Sequence, residues 1–257
     1  MNTAHWLPLL AIVAMGSYFQ AVTGFGLGML VMGACSGLGL APLPLAANIV
    51  SLVTLAGCAL ALRGRWHDID WPVIAAIVSG ILPAILAGVW LLDYLDNAAA
   101  LLLQGLLGLV ISGSGITFAL RPQPLARRSG NGSFFVSGLL SGLFGGLFGM
   151  AGPPIIFHLY RQPIALAAAR SMLLLVFAFT AAARTVFIAG RGEPPGADLL
   201  LTGCAILLAS LATQLARRYP PPLPADRLRQ LAFCTLLLIG SGLLLSALHG
   251  LLAGTWR

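Results

Sequence analysis

Long apolar stretches alternate with short polar or charged segments along the chain. Six of the stretches can cross the roughly 30 Å hydrocarbon core of a bilayer as helices, which rise about 1.5 Å per residue. They lie at 44–62, 71–92, 97–120, 164–189, 197–216 and 229–253. Charged residues, proline or glycine stand at their boundaries. The pattern predicts six transmembrane helices.

Two further apolar segments, 7–40 and 133–161, carry glycine-rich interruptions. A single helix over 7–40 would be about 50 Å long, which exceeds the thickness of the bilayer core. The first interruption runs from Thr23 to Gly28 and the second from Gly145 to Pro154. Glycine disfavours a helix, and a proline pair after glycine ends one helix and suits the first turn of the next. Each segment is therefore predicted to be a broken helix.

The order of a broken segment followed by three spans occurs twice, and the second break comes about 125 residues after the first. The sequence thus predicts an all-α membrane protein with two repeats, 1–120 and 133–257, joined by a linker at 121–132. Internal repeats of this kind occur in secondary transporters. Because three spans per repeat is an odd number, the two repeats are expected to be inverted relative to each other.

The distribution of arginine decides whether the broken segments cross the membrane or turn back. All 14 basic residues are arginine. If each broken segment crosses once, the loops on the two sides carry seven and five arginines, whereas two returning segments give ten and two. The second distribution matches the excess of positive charge in cytoplasmic loops. We therefore expect two re-entrant hairpins that enter the membrane from opposite faces. The protein is expected in a bacterial inner membrane, with the linker in the cytoplasm and both termini outside it.

Composition supports a lipid environment and argues against nucleic acid. Hydrophobic residues make up 59% of the chain and charged residues 8%, against about 25% charged residues in a soluble domain. The net charge is +7, but nucleic-acid binding needs a clustered basic patch on a water-facing surface. Here the arginines lie between apolar stretches. The expected surroundings are the lipid bilayer, and a homodimer is kept as one candidate assembly.

Enzyme chemistry has little support in the sequence. A hydrolase could pair Ser141 with His158 or His249, but no GxSxG motif is present and no predicted span holds a carboxylate in its interior to orient the histidine. There is no HExxH motif, and the four cysteines lie in apolar stretches without a CxxC pair. We expect no catalytic residue, no metal and no cofactor.

Candidate substrate-binding residues gather at the two breaks. Glycine lets the backbone approach a ligand closely, and the start of a helix offers N–H groups and partial positive charge to an anion. The candidates at the breaks are Gly24, Gly26, Gly149, Gly152 and Pro153. The nearby polar residues Gln20 and Thr23 either donate to an anion or bond to helix backbone. The competing reading of the glycines is close packing between helices.

Arg170 is a charged residue inside a predicted span. Such a residue is costly in lipid and usually functional, and its planar guanidinium suits an oxyanion; alternatively, it extends to the headgroups. The repeat places Asn48 in the equivalent helix, also just after a broken segment, so Asn48 and Ser51 are expected to face Arg170, with Ser171 beside it. Arg184 lies nearer the outer end of the same span, where a structural role is expected rather than one in permeation.

Both breaks resemble motifs of a known family. The segment Phe19-Gln-Ala-Val-Thr-Gly-Phe-Gly26 resembles the Gln-x-x-Thr-Gly-Phe-Gly form found in the sulfite exporter TauE/SafE family. The glycine-rich segment from Gly138 to Pro154 resembles the counterpart motif in the second half of that family. Size and the two-half layout also agree over nearly the whole chain. The resemblance implies a transporter of sulfite, organosulfonates or related small anions.

The resulting hypothesis is secondary transport of a small anion by alternating exposure of a midplane site between two repeats. No predicted span contains Asp or Glu in its interior, since Asp198 is only the second residue of the span 197–216; this argues against proton coupling through a carboxylate. Export of an anion from a negative cytoplasm is favoured by about 2.3 kcal/mol per charge per 100 mV. The alternatives are transport of a different small anion or an organic acid, and a membrane scaffold that transports nothing.

Overall fold

The computed structural model describes residues 6–64, 67, 69–98, 100–119, 125–192, 199–219 and 225–252. These residues form ten α-helices and no strand. The helices are α1 Trp6–Thr23, α2 Leu27–Leu38, α3 Leu43–Ala61, α4 Trp71–Ala98, α5 Ala100–Ala119, α6 Asn131–Phe148, α7 Pro153–Tyr160, α8 Leu166–Gly190, α9 Leu199–Arg218 and α10 Ala225–Leu252. The expected all-α class is confirmed.

Six helices are long and apolar enough to cross a membrane within the described ranges. Four of them, in α3, α4, α8 and α9, coincide with predicted spans. The other two are α1 and α6, the first arms of the broken segments, each 18 residues long and so about 27 Å. The predicted spans 97–120 and 229–253 correspond to α5 and α10, whose apolar described parts are shorter. The first arms α1 and α6 are therefore long enough to cross a membrane, which the arm of a re-entrant hairpin does not need to do.

In each half, the second arm of the broken helix begins beside the first arm. The first residue of α2, Leu27, lies against Gly16, the eleventh of the 18 residues of α1. In the second half the N–H of Ile155 in α7 donates to the Ser141 hydroxyl over 3.0 Å, and Ser141 is likewise the eleventh of the 18 residues of α6. Both second arms therefore begin beside the middle of their first arms.

The end of α7 returns to the end of the bundle where α6 begins. The N–H of Leu125, before α6, donates to the carbonyl of Arg161, after α7, over 2.7 Å. The N–H of Ser129 donates to the side chain of Gln162 over 2.9 Å, and the Gln162 amide donates to the Ser129 hydroxyl over 3.0 Å. The two ends of this broken segment are thus joined at one level.

Helix packing follows the same plan in both halves. The first arm α6 packs on α4, and its counterpart α1 packs on α9. In the same way α3 contacts α9 while α8 contacts α4, and α2 contacts α10 while α7 contacts α5. The pairs α3–α8 and α5–α10 each combine two equivalent helices of the two halves. Exchanging α1–α5 with α6–α10 therefore leaves this set of neighbours unchanged.

A row of glycines brings α6 directly onto the backbone of α4. Gly138, Gly142 and Gly146 recur every four residues on one face of α6. A Cβ at Gly138 would collide with the carbonyl of Ile77, and one at Gly142 would lie 2.6 Å from the carbonyl oxygen of Ile81. This is the close packing of small residues found between membrane helices. For these glycines the packing interpretation is correct.

Candidate functional site

The two breaks meet at a cleft inside the bundle. About 330 Å³ of space not filled by protein atoms lies there. Its walls include both glycine-rich interruptions, and Gly28 of α2 lies against the side chain of Met150. The lining residues are Gln20, Gly26, Gly28, Met29, Thr54, Gly149, Met150, Ala151, Ile156 and Phe177. Three predicted site residues, Gln20, Gly26 and Gly149, are therefore brought together.

The backbone at the breaks takes conformations that glycine allows. Gly24 and Gly26 have φ of 88° and 106°, and Gly149 has φ of 66°. Side chains rarely adopt positive φ because the Cβ meets the backbone. A Cβ at Gly149 would also collide with the carbonyl of Ala47 in α3. These glycines set the path of the chain around the cleft, which distinguishes them from the packing glycines of α6.

The start of α2 faces the cleft with backbone donors. Gly26 stands at its N-cap and no side chain caps the helix there. The N–H groups of Leu27, Gly28 and Met29 precede the first helical hydrogen bond, from Leu30 to Gly26. Such N–H groups carry the partial positive charge of a helix start. Gly28 and Met29 line the cleft, so this helix start can offer donors to an anion.

The start of α7 is different. Pro153 and Pro154 occupy its first two positions and have no N–H. The next N–H, of Ile155, is already bonded to Ser141. A Cβ at Gly152 would lie 2.6 Å from the Phe144 ring, and neither Gly152 nor Pro153 is among the residues that line the cleft. The start of α7 therefore has fewer N–H donors for an anion than the start of α2, because two positions are proline and Ser141 accepts the next N–H.

Thr23 bonds to the break rather than to the cleft. Its hydroxyl lies 2.9 Å from the carbonyl oxygens of Phe19 and Phe25. The carbonyl of Thr23 accepts a hydrogen bond from the Tyr160 hydroxyl over 3.0 Å. Of the two readings given for Thr23, backbone bonding is the one that the geometry matches. Thr54, which sequence reasoning missed, lines the cleft instead. Its signal was a polar residue within the apolar span 44–62.

Asn48 and Ser51 do not face Arg170, so that expectation is wrong. Both contact Arg184, whose Nη1 donates to Asn48 Oδ1 over 2.7 Å and lies 3.5 Å from the Ser51 hydroxyl. The Arg184 Nε donates to the carbonyl of Gly146 over 3.0 Å, and its side chain is 1% exposed. Arg170 is 14 residues earlier on α8, or about 21 Å along the helix. The prediction assumed that residues early in α3 lie beside residues early in α8. In the structure Asn48, early in α3, lies beside Arg184, late in α8.

Arg170 lies at the other break. Its aliphatic part packs on Gly24, where a Cβ would be 3.1 Å from Arg170 Cγ. It is the fifth residue of α8, which is about one turn from the helix start. Within the described part of the chain, the buried Nε of Arg170 and the buried hydroxyl of Ser171 have no hydrogen-bond partner. Both groups thus keep donors that are not used by the protein.

A second cavity lies beside the cleft and shares one residue with it. It occupies about 240 Å³ between α1, α3, α8 and α9. Its lining residues are Ser17, Gln20, Ala21, Leu27, Val53, Gly57, Cys58, Ala61, Leu174 and Thr213. Gln20 is 8% exposed and stands in the wall between the two spaces.

A bundle of apolar helices whose two broken helices meet at a buried cleft defines a multi-pass membrane transporter. The chain belongs to the family described as Sulfite exporter TauE/SafE, whose sequence model matches residues 9–243. This confirms the resemblance seen at the breaks. The family consists of transporters, which agrees with the expectation that the chain is not an enzyme.

Two relatives carry names that describe transport. A protein of Cupriavidus necator named "Probable sulfite/organosulfonate exporter TauE" is 50% identical over 251 residues, which cover 96% of this chain and 98% of that protein. A protein of Comamonas testosteroni named "Probable inner membrane transporter protein TsaS" is 29% identical over 187 residues, covering 71% and 74% of the two chains. No solved structure matches the chain.

Proposed function

We propose that this protein exports sulfite or a small organosulfonate across a bacterial inner membrane. The observation that carries the proposal is the cleft between the two breaks, which joins Gln20 to the uncapped start of α2. The identity of 50% with the protein named as a sulfite/organosulfonate exporter supports this choice of substrate. A different small anion or an organic acid is the second candidate.

The anion binds at the start of α2 in this proposal. The N–H groups of Gly28 and Met29 donate to its oxygens, and the helix start adds partial positive charge. The amide of Gln20 donates from the facing wall. Gly26 and Gly149 allow the backbone to approach the anion closely. Because the start of α7 has few donors, the substrate makes most of its hydrogen bonds to the first half.

Arg170 and Ser171 act before this step. They lie near the Gly24 break, where each keeps an unused donor. We assign them the first contact with the anion on the cytoplasmic side. A guanidinium attracts an oxyanion over a longer range than a neutral donor does, so Arg170 raises the local concentration of substrate.

The proposed topology has two inverted repeats, each a re-entrant hairpin followed by three spans. The matching neighbours of the two halves support it, and so does the return of α7 to the level where α6 begins. The arginine distribution supports cytoplasmic placement of the linker and outside placement of both termini. Alternating access then exposes the cleft to one side at a time. The homodimer stays a prediction.

The membrane potential can drive export without a coupling ion. About 2.3 kcal/mol per charge is gained at 100 mV, which corresponds to a concentration ratio of roughly 40 at about 1.4 kcal/mol per tenfold. The test is flux of radiolabelled sulfite and of a short alkanesulfonate in proteoliposomes with an imposed potential. If neither sulfite nor the alkanesulfonate moves but another small anion does, the proposed substrate is wrong and that other anion takes its place. Movement of no anion would favour the scaffold.

A glutamine pair tests the site itself. Gln20→Ala is expected to lower the flux at least tenfold, because a buried donor to the anion is lost. Gln214→Ala removes an exposed glutamine from α9 and is expected to leave the flux unchanged. Equal flux in the two variants would mean that the anion does not contact Gln20.

A further inference from the structure

Arg184 joins three helices at one point. It extends from α8 and donates to Gly146 near the end of α6 and to Asn48 in α3. It is the largest fully buried side chain in the described part of the chain. Gly146 is three residues before Gly149, which lines the cleft. The arginine therefore fixes the tip of the second broken helix beside the cleft.

The first half has no arginine at the equivalent position. Two contacts align the halves: Gly24 packs on Arg170 of α8, and Gly149 packs on Ala47 of α3. Matching Ala47 to Arg170 places Ala61 at the position of Arg184. An alanine cannot form the bonds that the arginine makes.

The second cavity occupies the place of the missing arginine. The same alignment matches Gly146 to Ala21 and Ser51 to Leu174. Ala21, Ala61 and Leu174 all line the second cavity. Asn48 matches Ser171, whose buried hydroxyl has no partner among the described residues. The position equivalent to the bonded arginine therefore faces an open space, and Ser171, the residue equivalent to Asn48, has an unused hydroxyl among the described residues.

We infer that Arg184 is a positioning residue that closes the outer side of the cleft, and that the second cavity is the cytoplasmic entrance for the anion. This rests on the topology in the proposed function, which places Arg184 towards the outside and Ala61 towards the cytoplasm. Gln20 lines both the entrance and the cleft, so it stands on the path between them. Release to the outside requires the hydrogen bonds of Arg184 to Gly146 and Asn48 to break.

The test measures from which side each route is open. Ala21 lines the entrance and is half-buried, so Ala21→Cys in a background without other cysteines reports on the cytoplasmic route. Thr180→Cys in a background without other cysteines reports on the outer route, since Thr180 is buried one turn from Arg184 and packs on Gly145. A membrane-impermeant maleimide is applied to either face of vesicles of known orientation.

Ala21→Cys is expected to react from the cytoplasmic face, and Thr180→Cys to be protected from the outer face. Arg184→Ala should raise outer labelling of Thr180→Cys at least tenfold, and Arg184→Lys should raise it less. Asn48→Ala, which keeps the arginine, is a milder variant expected to give an intermediate rise. Arg191→Ala is the matched control, because Arg191 pairs with Asp93 outside the cluster at 2.5 Å, and it should change nothing.

Unchanged outer labelling in a monodisperse Arg184→Ala or Asn48→Ala protein would overturn the inference, as would labelling of Ala21→Cys from the outside but not from the cytoplasmic face. The labelling assay needs no substrate, so it tests the role of Arg184 separately from the proposed substrate. Sided labelling without sulfite flux would refute the proposed substrate and keep the role of Arg184. Sulfite flux with unchanged labelling would support the proposed substrate and refute the role of Arg184.

Discussion

Gly149→Ala is expected to destabilise the protein strongly. Gly149 has φ of 66°, a conformation that costs an alanine about 1–2 kcal/mol. The new Cβ would also meet the backbone carbonyl of Ala47, and backbone cannot move aside as a flexible side chain can. Overpacking of this kind costs about 1–3 kcal/mol. Together the two effects lower the free energy of unfolding by about 3 kcal/mol.

The assay is thermal unfolding of the purified protein in detergent. At about 2–4 °C per kcal/mol, the loss corresponds to a fall in Tm of roughly 6–12 °C. Gly203→Ala in α9 is the control, because nothing lies within 4 Å of a Cβ there; in a helix interior this change stabilises by up to about 1 kcal/mol. A difference of roughly 2 °C in Tm corresponds to about half a kcal/mol. If the Tm values of Gly149→Ala and Gly203→Ala differ by less than this, the backbone at Gly149 is not strained and crowded as described.

Three further predictions address binding, packing and topology. Arg170→Ala should raise the KM for the anion about tenfold at an anion–guanidinium contact worth about 1.4 kcal/mol, with Arg170→Lys between the two; an unchanged KM would mean that Arg170 only reaches the headgroups. Gly142→Leu should abolish a monodisperse peak in size-exclusion chromatography, because α4 leaves no room at this glycine, whereas Gly132→Leu, in open space on the same helix, should not. Reporter tags at both termini should be detected outside the cytoplasm, and a cytoplasmic N-terminus would rule out the first hairpin.

The helices could be predicted from the sequence because their signals are local. Apolar length gave the spans, and the glycines and the proline pair gave the ends of α1 and α6. The arms themselves were harder to judge. Residues 6–23 and 131–148 each form a helix long enough to cross a bilayer, and hydropathy cannot tell such an arm from a span when the chain turns back after it.

The site could be predicted only where it depends on the breaks themselves. Gln20, Gly26 and Gly149 were found because they lie in or beside an interruption. The Arg184–Asn48 contact was missed because it depends on how α3 and α8 run past each other. Asn48 is near the start of α3 and Arg184 near the end of α8, so their contact requires antiparallel helices. Equal order along two repeats then means opposite depth.

The sequence also cannot tell a glycine that packs against another helix from a glycine that turns the chain. Gly142 and Gly149 are alike in the sequence, since both stand in one glycine-rich run. In the fold Gly142 meets α4 in a regular helix, whereas Gly149 turns the chain and meets α3. What separates them is the neighbouring helix, which lies far away in the sequence.

The glycine-lined contact between α4 and α6 restricts how the transporter can move. Where backbone meets backbone, there is no layer of side chains that can change rotamers to let one helix slide past the other. These two helices should therefore travel as a rigid body throughout the transport cycle. The counterpart pair, α1 and α9, has a cavity at its side and is free to shear. Each of these two equivalent pairs contains one helix from each half, yet the pairs would move differently: α4 and α6 stay fixed against each other, while α1 and α9 slide.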